Sequence, residues 1–212
     1  MSLLQVAPLM MAKRSATGPT YIDSGQVWAA GQTAFVVPTP TLSVGDFMVA
    51  VCITLTAGRT WSATGWTGVS SVNATHSIAI LKKTATGSDS FTFNVSGAAL
   101  TALVFVYVCR GATTVSADNL SSAAIASADP QVASSLSVTA GRMLLALLEI
   151  NSNTTTLTSG PSGMNSRQQQ FTNNTPRGAM YDLPIVATGA SGTKSFDLSA
   201  ATFGTAFLIE IQ

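Results

Sequence analysis

One strand-and-turn pattern runs through this chain twice, and a duplication constrains a fold more tightly than any single motif. Leu42-Ser43-Val44 leads through Gly45 into Asp46-Phe47-Met48-Val49-Ala50. Leu136-Ser137-Val138 leads through Gly141 into Arg142-Met143-Leu144-Leu145-Ala146. Gly65-Trp66 is matched later by Gly163-Met164, and Ala85-Thr86-Gly87 with Phe91 is matched by Ala187-Thr188-Gly189 with Phe196. Each copy closes on an apolar run, residues 103–108 in one and 206–211 in the other. The matches keep their order, and the spacing drifts by the small amounts that loop insertions produce.

The repeated units read as strands. Phe91, Phe93 and Val95 alternate with Thr92 and Asn94, and Phe196 and Leu198 alternate with Ser195 and Asp197, the period of two that a half-buried strand requires. Gly, Ser, Thr and Asn clusters at 85–88 and 187–192 read as turns, and no long segment carries apolar residues at helical spacing. The expected fold is all-β: an antiparallel β-sandwich or jelly roll made of two diverged half-repeats, about 20–115 and 130–212, joined by the Ala/Ser-rich stretch 111–131. Each half supplies roughly five or six strands, one sheet's worth. A sheet with one apolar face must bury it, and the nearest cover is its duplicate. The halves therefore pack together, or interleave their strands, in one sandwich spanning 20–212. Some strands are apolar on both faces: Leu103, Phe105 and Tyr107 against Val104, Val106 and Val108. Either long loops cross them or a neighbouring subunit covers the outer side.

Residues 1–19 fit neither copy. They hold an apolar stretch with Leu3, Leu4, Val6, Ala7, Leu9, Met10 and Met11, then Lys13-Arg14, then a hinge-like Ser15 to Pro19. An apolar segment of this kind docks on something. It is read either as an arm gripping a neighbouring subunit or as a first strand on its own sandwich. The basic residues follow the apolar stretch and Pro8 interrupts it, the reverse of a signal peptide, so cytoplasmic synthesis without an export step is expected.

Composition narrows the function. Hydrophobic residues are 46% and charged residues 9%, yet the apolar runs are strand-length, far below the ~20 residues of a spanning helix. A net charge of +1 marks no nucleic-acid surface. Cys52 and Cys109 sit inside apolar runs and are read as buried free thiols, with a disulfide between them as the alternative. The one histidine, His76, lies in a turn-like segment and is read as a surface residue, with no nucleophile context around it. No residue cluster has metal-ligand spacing, no Gly-rich stretch is a phosphate loop, and the nine acidic residues are scattered singly. The expectation is a protein that is not an enzyme, with no catalytic residue, cofactor or metal. Trp61, Trp66 and Tyr21 offer faces for sugar stacking. Trp66 is read as core, which leaves Trp61, beside Arg59 in a polar loop, as the exposed aromatic contact.

The ordered segments at 45–50 (GDFMVA), 65–67 (GWT), 80–93 and 107–111 (YVCRG), with a second such strand at 141–146, resemble β-sandwich proteins common among phage and prophage virion components. The sequence departs from that pattern at Arg142, where an acidic residue is usual, and in the two residues between Tyr107 and Arg110. The resemblance implies a virion structural protein, of the head decoration (cement) type, located on the head surface. Its partners would be the major capsid protein and copies of itself, in trimers at lattice junctions, with residues 1–14 as the anchoring arm. The alternative is a tail-fibre or receptor-binding module that takes a host glycan through Trp61.

Overall fold

In the computed structural model, which describes residues 18–172 and 175–212, the chain is an antiparallel all-β sandwich. The first half contributes β1 (Thr20–Gln32), β2 (Ala34–Val36), β3 (Phe47–Thr54), β4 (Trp61–Ser62), β5 (Thr67–Val72), β6 (Ser77–Thr84), β7 (Thr92–Val95) and β8 (Leu100–Arg110). The second contributes β9 (Val115–Asp118), a 3-10 turn (Leu120–Ser122), β10 (Ala126–Ala128), β11 (Gln131–Ala133), β12 (Ser137–Val138) and β13 (Met143–Ile150). It ends with β14 (Leu157–Ser159), β15 (Asn165–Gln170), β16 (Arg177–Pro184), β17 (Gly189–Ala190), β18 (Lys194–Leu198) and β19 (Thr202–Ile211).

The duplication is explicit in the strand order. The first half forms a large sheet β1-β8-β3-β6-β5 and a small sheet β2-β7-β4. The second forms β10-β19-β13-β16-β15 and β11-β18-β14, with β9 also on β19. The halves pack and do not interleave, because each large sheet takes its strands from one half. The stretch between them does more than connect. Val115 pairs with Ile211 and Ala128 with Thr202, so β9 and β10 border β19 as the unbroken β1 borders β8.

Four layers result, and three apolar clusters fill the spaces between them. Phe47, Val49, Val51 and Ile53 of β3 face the middle of the molecule, where they meet Met143, Leu145 and Leu147 of β13 and Phe207 and Ile209 of β19. The alternate residues Met48, Ala50 and Cys52 face outward onto Phe35, Phe93 and Val95 of the small sheet. In the second half Leu144, Ala146 and Leu148 likewise face Ala133, Phe196 and Leu198. The doubly apolar strands are thus covered on both faces by their own chain, on one side by the small sheet and on the other by the opposite half. Neither a crossing loop nor a second subunit is needed. Each fully buried Leu, Ile, Val, Phe or Met side chain is worth roughly 1.5–3 kcal/mol, so these three layers of contact hold the stack together.

Side-chain amides close one edge between the sheets: Gln26 Nε2 donates to Gln169 O at 3.2 Å, and Gln168 Nε2 to Ser24 O at 2.9 Å. On the other edge Ser70 Oγ donates to Asp118 Oδ1 at 3.0 Å. These bonds tie the edge strands of one half to those of the other.

Backbone contacts align the copies. Gly45 N bonds Ala85 O at 2.9 Å and Gly141 N bonds Ile185 O at 2.8 Å, while Trp66 N bonds Ala63 O as Met164 N bonds Pro161 O. Trp61 pairs with Val95 as Leu157 pairs with Leu198, so Phe196 corresponds to Phe93. The sequence match of Ala187 to Ala85 and of Phe196 to Phe91 is corrected by two residues. A slip of two leaves every side chain on the same face of the strand, and for that reason the alternation could not reveal it.

Candidate functional site

The middle layer, where the halves meet, carries two groups of buried polar side chains, one around Asp182 and one around Glu149. Paired β-bulges shape one end of it. The pairing of β5 with β6 slips between Gly68 and Ser70, and that of β15 with β16 slips between Ser166 and Gln168, at equivalent places. The extra residues are Val69, which packs on the central core, and Arg167. Arg167 Nε donates to Asp182 Oδ2 at 2.7 Å. The same fully buried carboxylate accepts Tyr107 Oη at 2.7 Å from the opposite half and Asn165 Nδ2 at 3.0 Å. Burial, reinforced by the adjacent Asp182 charge, pushes the Tyr107 hydroxyl well above its ordinary range. The Arg167 guanidinium lies 3.7 Å over the Tyr21 ring, a cation–π stack that fixes the start of β1 on the second half.

At the other end sit His76 and Glu149. His76, expected at the surface, is 3% exposed, and its Nδ1 is 2.8 Å from Oε2 of the fully buried Glu149. The turn before β6 has folded inward because Glu149, the one charged residue of β13, faces the central layer and needs a partner there. Burial raises the Glu149 carboxyl above its usual range, with His76 pulling the other way. A lone carboxylate inside the run Met143–Ile150 was the sequence signal for this pair. What concealed it was that its partner lies 73 residues away in the other half.

Two clefts occupy equivalent positions, one per half. The larger, of about 730 Å³, is lined by Tyr21, Arg142, Met143, Arg167, Pro184 and Val186, with Gly18 and Gly141 at its rim. A Cβ on Gly18 would stand 2.5 Å from Gly141 O, so the chain runs into β1 hard against the turn of the second half. The smaller, of about 350 Å³, has Phe47, Thr84 and Thr86 where the larger has Met143, Pro184 and Val186, and adds Lys82 and Lys83. The anchoring residues expected from sequence, Leu3, Leu4, Val6, Ala7, Leu9, Met10, Met11, Lys13 and Arg14, lie outside the described residues.

Each of the nine acidic side chains is engaged within the fold. Asp46 holds Arg110 through two bonds, Asp89 holds Lys83, Glu210 holds Arg142, Asp182 holds Arg167, and Glu149 meets His76. Asp23, Asp118 and Asp129 accept backbone N–H groups, and Asp197 accepts the Ser159 hydroxyl. The Arg110 guanidinium holds Asp46 below the ordinary carboxylate range. For Asp89, burial acts upward, but Lys83 and the N–H groups of Thr86 and Gly87 outweigh it and bring the carboxyl to about 2.

The aromatic residues do not form a platform. Trp61, expected as the exposed contact, is half-buried with its ring 5.7 Å from Phe35 and its indole nitrogen buried. Trp66, half-buried like Trp61, packs edge-on against Phe93 at 5.1 Å and donates to Ser90 O. Tyr21 lies 5.4 Å from Tyr107 beneath Arg167. Cys52 and Cys109 are free and buried, and they face different layers. Among the described residues no group of three or more His, Cys, Asp or Glu side chains is placed to hold a metal ion. No helix of the described residues is long and apolar enough to cross a membrane.

Comparison with protein-family models, with curated proteins and with solved structures found no match.

Proposed function

We propose that this chain is a structural component of a phage virion, a head decoration protein that stabilises the capsid through contacts with the major capsid protein and with its own copies. The observation that carries the reading is where the charge goes. Charged residues are 9% of the chain, the net charge is +1 and each of the nine carboxylates has a partner within the fold, so the surface, where Asp129, Asp197 and Arg110 stand exposed, is mostly hydroxyl, amide and apolar groups. Such a surface repels its own copies weakly and suits dense packing on a lattice. The segments that carry the family resemblance fall at equivalent turns and strand starts of the two halves: Gly45 before β3, Gly65 before β5 and Gly141 before β13.

The action is mechanical: each copy bridges neighbouring capsomers, and weak contacts add through multivalency. Because the chain covers both faces of its apolar strands, a trimer rests on the resemblance alone. The test is binding to purified capsids by the full chain and by a variant lacking residues 1–14. The expected result is that the full chain binds and the truncated chain, with an unchanged circular dichroism spectrum, does not. A chain found only at the tail tip, or one whose glycan binding is abolished by Trp61→Ala, overturns the reading in favour of a receptor-binding module.

A further inference from the structure

The central layer is polar at one point where the duplication makes it apolar. Glu149 is the seventh residue of β13 and pairs with Thr205 of β19. The seventh residue of β3 is Ile53, which pairs with Leu103 of β8. The fold therefore accepts a purely apolar pair at this place, and an ionisable pair is an addition to it. The addition is costly. Glu149 Oε1 and Thr205 Oγ1 are both buried without a hydrogen-bond partner among the described residues. A buried ion pair is weak evidence for stability and is better attested as a device for specificity or switching.

We propose that His76 and Glu149 form a one-proton clasp between the two halves, closed while the pair shares a single proton and loosened once that proton leaves. With one proton the pair is neutral overall, whichever atom carries it. Removing that proton leaves a net negative charge in the sealed layer, and adding a second leaves a net positive one. Burial resists both. Among the described residues no other charge intervenes. The residues opposite Glu149 on its flanking strands are Gly178 and Thr205, and His76 is the one charged group acting on its carboxyl. Arg177, beside Gly178, directs its guanidinium to the carbonyl oxygens of Thr155 and Asn153.

Linkage fixes the pH profile. In the unfolded chain glutamate titrates near ~4.3 and histidine near ~6.5. Between those values folded and unfolded states each hold one proton, and the clasp contributes its maximum. Above about pH 6.5 the unfolded chain loses its proton while the folded pair keeps it. Stability then falls as pH rises, by up to about tenfold in the unfolding constant per pH unit. The sign agrees with a buried glutamate whose carboxyl is raised, since stability of that kind is lost on the alkaline side.

Urea unfolding of the full chain from pH 5 to pH 8 tests this, in a range where histidine is the one side chain with an ordinary midpoint. The wild type should be flat from about pH 5 to pH 6.5 and lose stability from there to pH 8. In Glu149→Gln the amide bonds a neutral imidazole, so the folded state binds no proton. Its profile should be flat above about pH 6.5 and fall below it. A wild type flat from about pH 6.5 to pH 8, or one parallel to Glu149→Gln, overturns the clasp. If Glu149→Gln does not fold, the wild-type imidazole resonance decides, because the chain has one histidine and its signal needs no assignment. That signal should hold through the range, and a free-histidine titration in the native state overturns the proposal.

Discussion

The closeness of the two halves can be tested at Gly178, on β16 in the middle layer. A Cβ there would meet Leu148 O at 2.5 Å, Leu103 Cδ2 at 3.2 Å and Phe105 Cε2 at 3.3 Å. The two side-chain contacts belong to the opposite half and yield by a few tenths of an ångström. The carbonyl belongs to the neighbouring β13 and moves only if the ladder moves. Overpacking of this kind costs about 1–3 kcal/mol, and the upper end applies because backbone is involved. Replacing a glycine stiffens the unfolded chain and returns about 0.4–1 kcal/mol. Gly178→Ala should therefore lose about 2 kcal/mol, or roughly 4–8 °C in Tm for a chain of this length. Gly68, on edge strand β5, has nothing within 4 Å of the same added atom and is the matched control. Gly68→Ala should be unchanged or more stable by up to about 1 kcal/mol. Urea unfolding of both variants with a shared slope gives the comparison. Gly178→Ala as stable as wild type, or Gly68→Ala equally damaged, would refute the packing argument.

Two further outcomes follow from the seam and from the duplication. Tyr107→Phe removes one bond to the buried Asp182 carboxylate and should cost about 1.5–3 kcal/mol. Asp182→Ala strands both Arg167 and the Tyr107 hydroxyl and should cost about 3–5 kcal/mol, a ranking that denaturant titration checks. Ser96 Oγ accepts Thr60 N at 2.9 Å and Ser199 Oγ accepts Thr156 N at 3.0 Å, the same bond in the two copies. Ser96→Ala and Ser199→Ala should each cost about 0.5–1.5 kcal/mol and agree within about 0.5. A clear difference in thermal unfolding would mean that the copies are not energetically equivalent there.

Strands and their duplication were legible because both write themselves in period two. Phe93 and Val95, or Phe196 and Leu198, declare a buried face without help from the rest of the chain. The layers were not legible. Alternating apolar residues on both faces of β8 show that two covers exist, but not that one is a three-strand sheet as short as β2, β7 and β4. The strands β9 and β10 were hidden because Ala and Ser carry little alternation, and their pairing is fixed by β19, from 74 to 96 positions later in the chain. His76 was misread for a related reason. Turn composition places a residue near the surface of its own half, while the surface of one half is the interior of the molecule.

The two copies preserve a role while exchanging the residue that fills it. In the first half Asp46, just before β3, accepts Ser43 N at 2.8 Å and binds Arg110 at the end of β8. In the second half the residue before β13 is Arg142, the departure from the resembled pattern. The carboxylate comes instead from Glu210 near the end of β19, which accepts Thr139 N and binds Arg142 at 2.8 Å. Ser43 and Thr139 stand three residues before Asp46 and Arg142, so the same turn N–H receives a carboxylate in both copies from opposite ends of the ion pair. The carboxylate–guanidinium pair thus closes this corner in both copies although its members stand at different strand positions, Glu210 where the first half has Val108 and Arg110 where the second has Gln212. Sequence comparison of the halves loses it because it compares position with position, while the physical constraint acts on the pair.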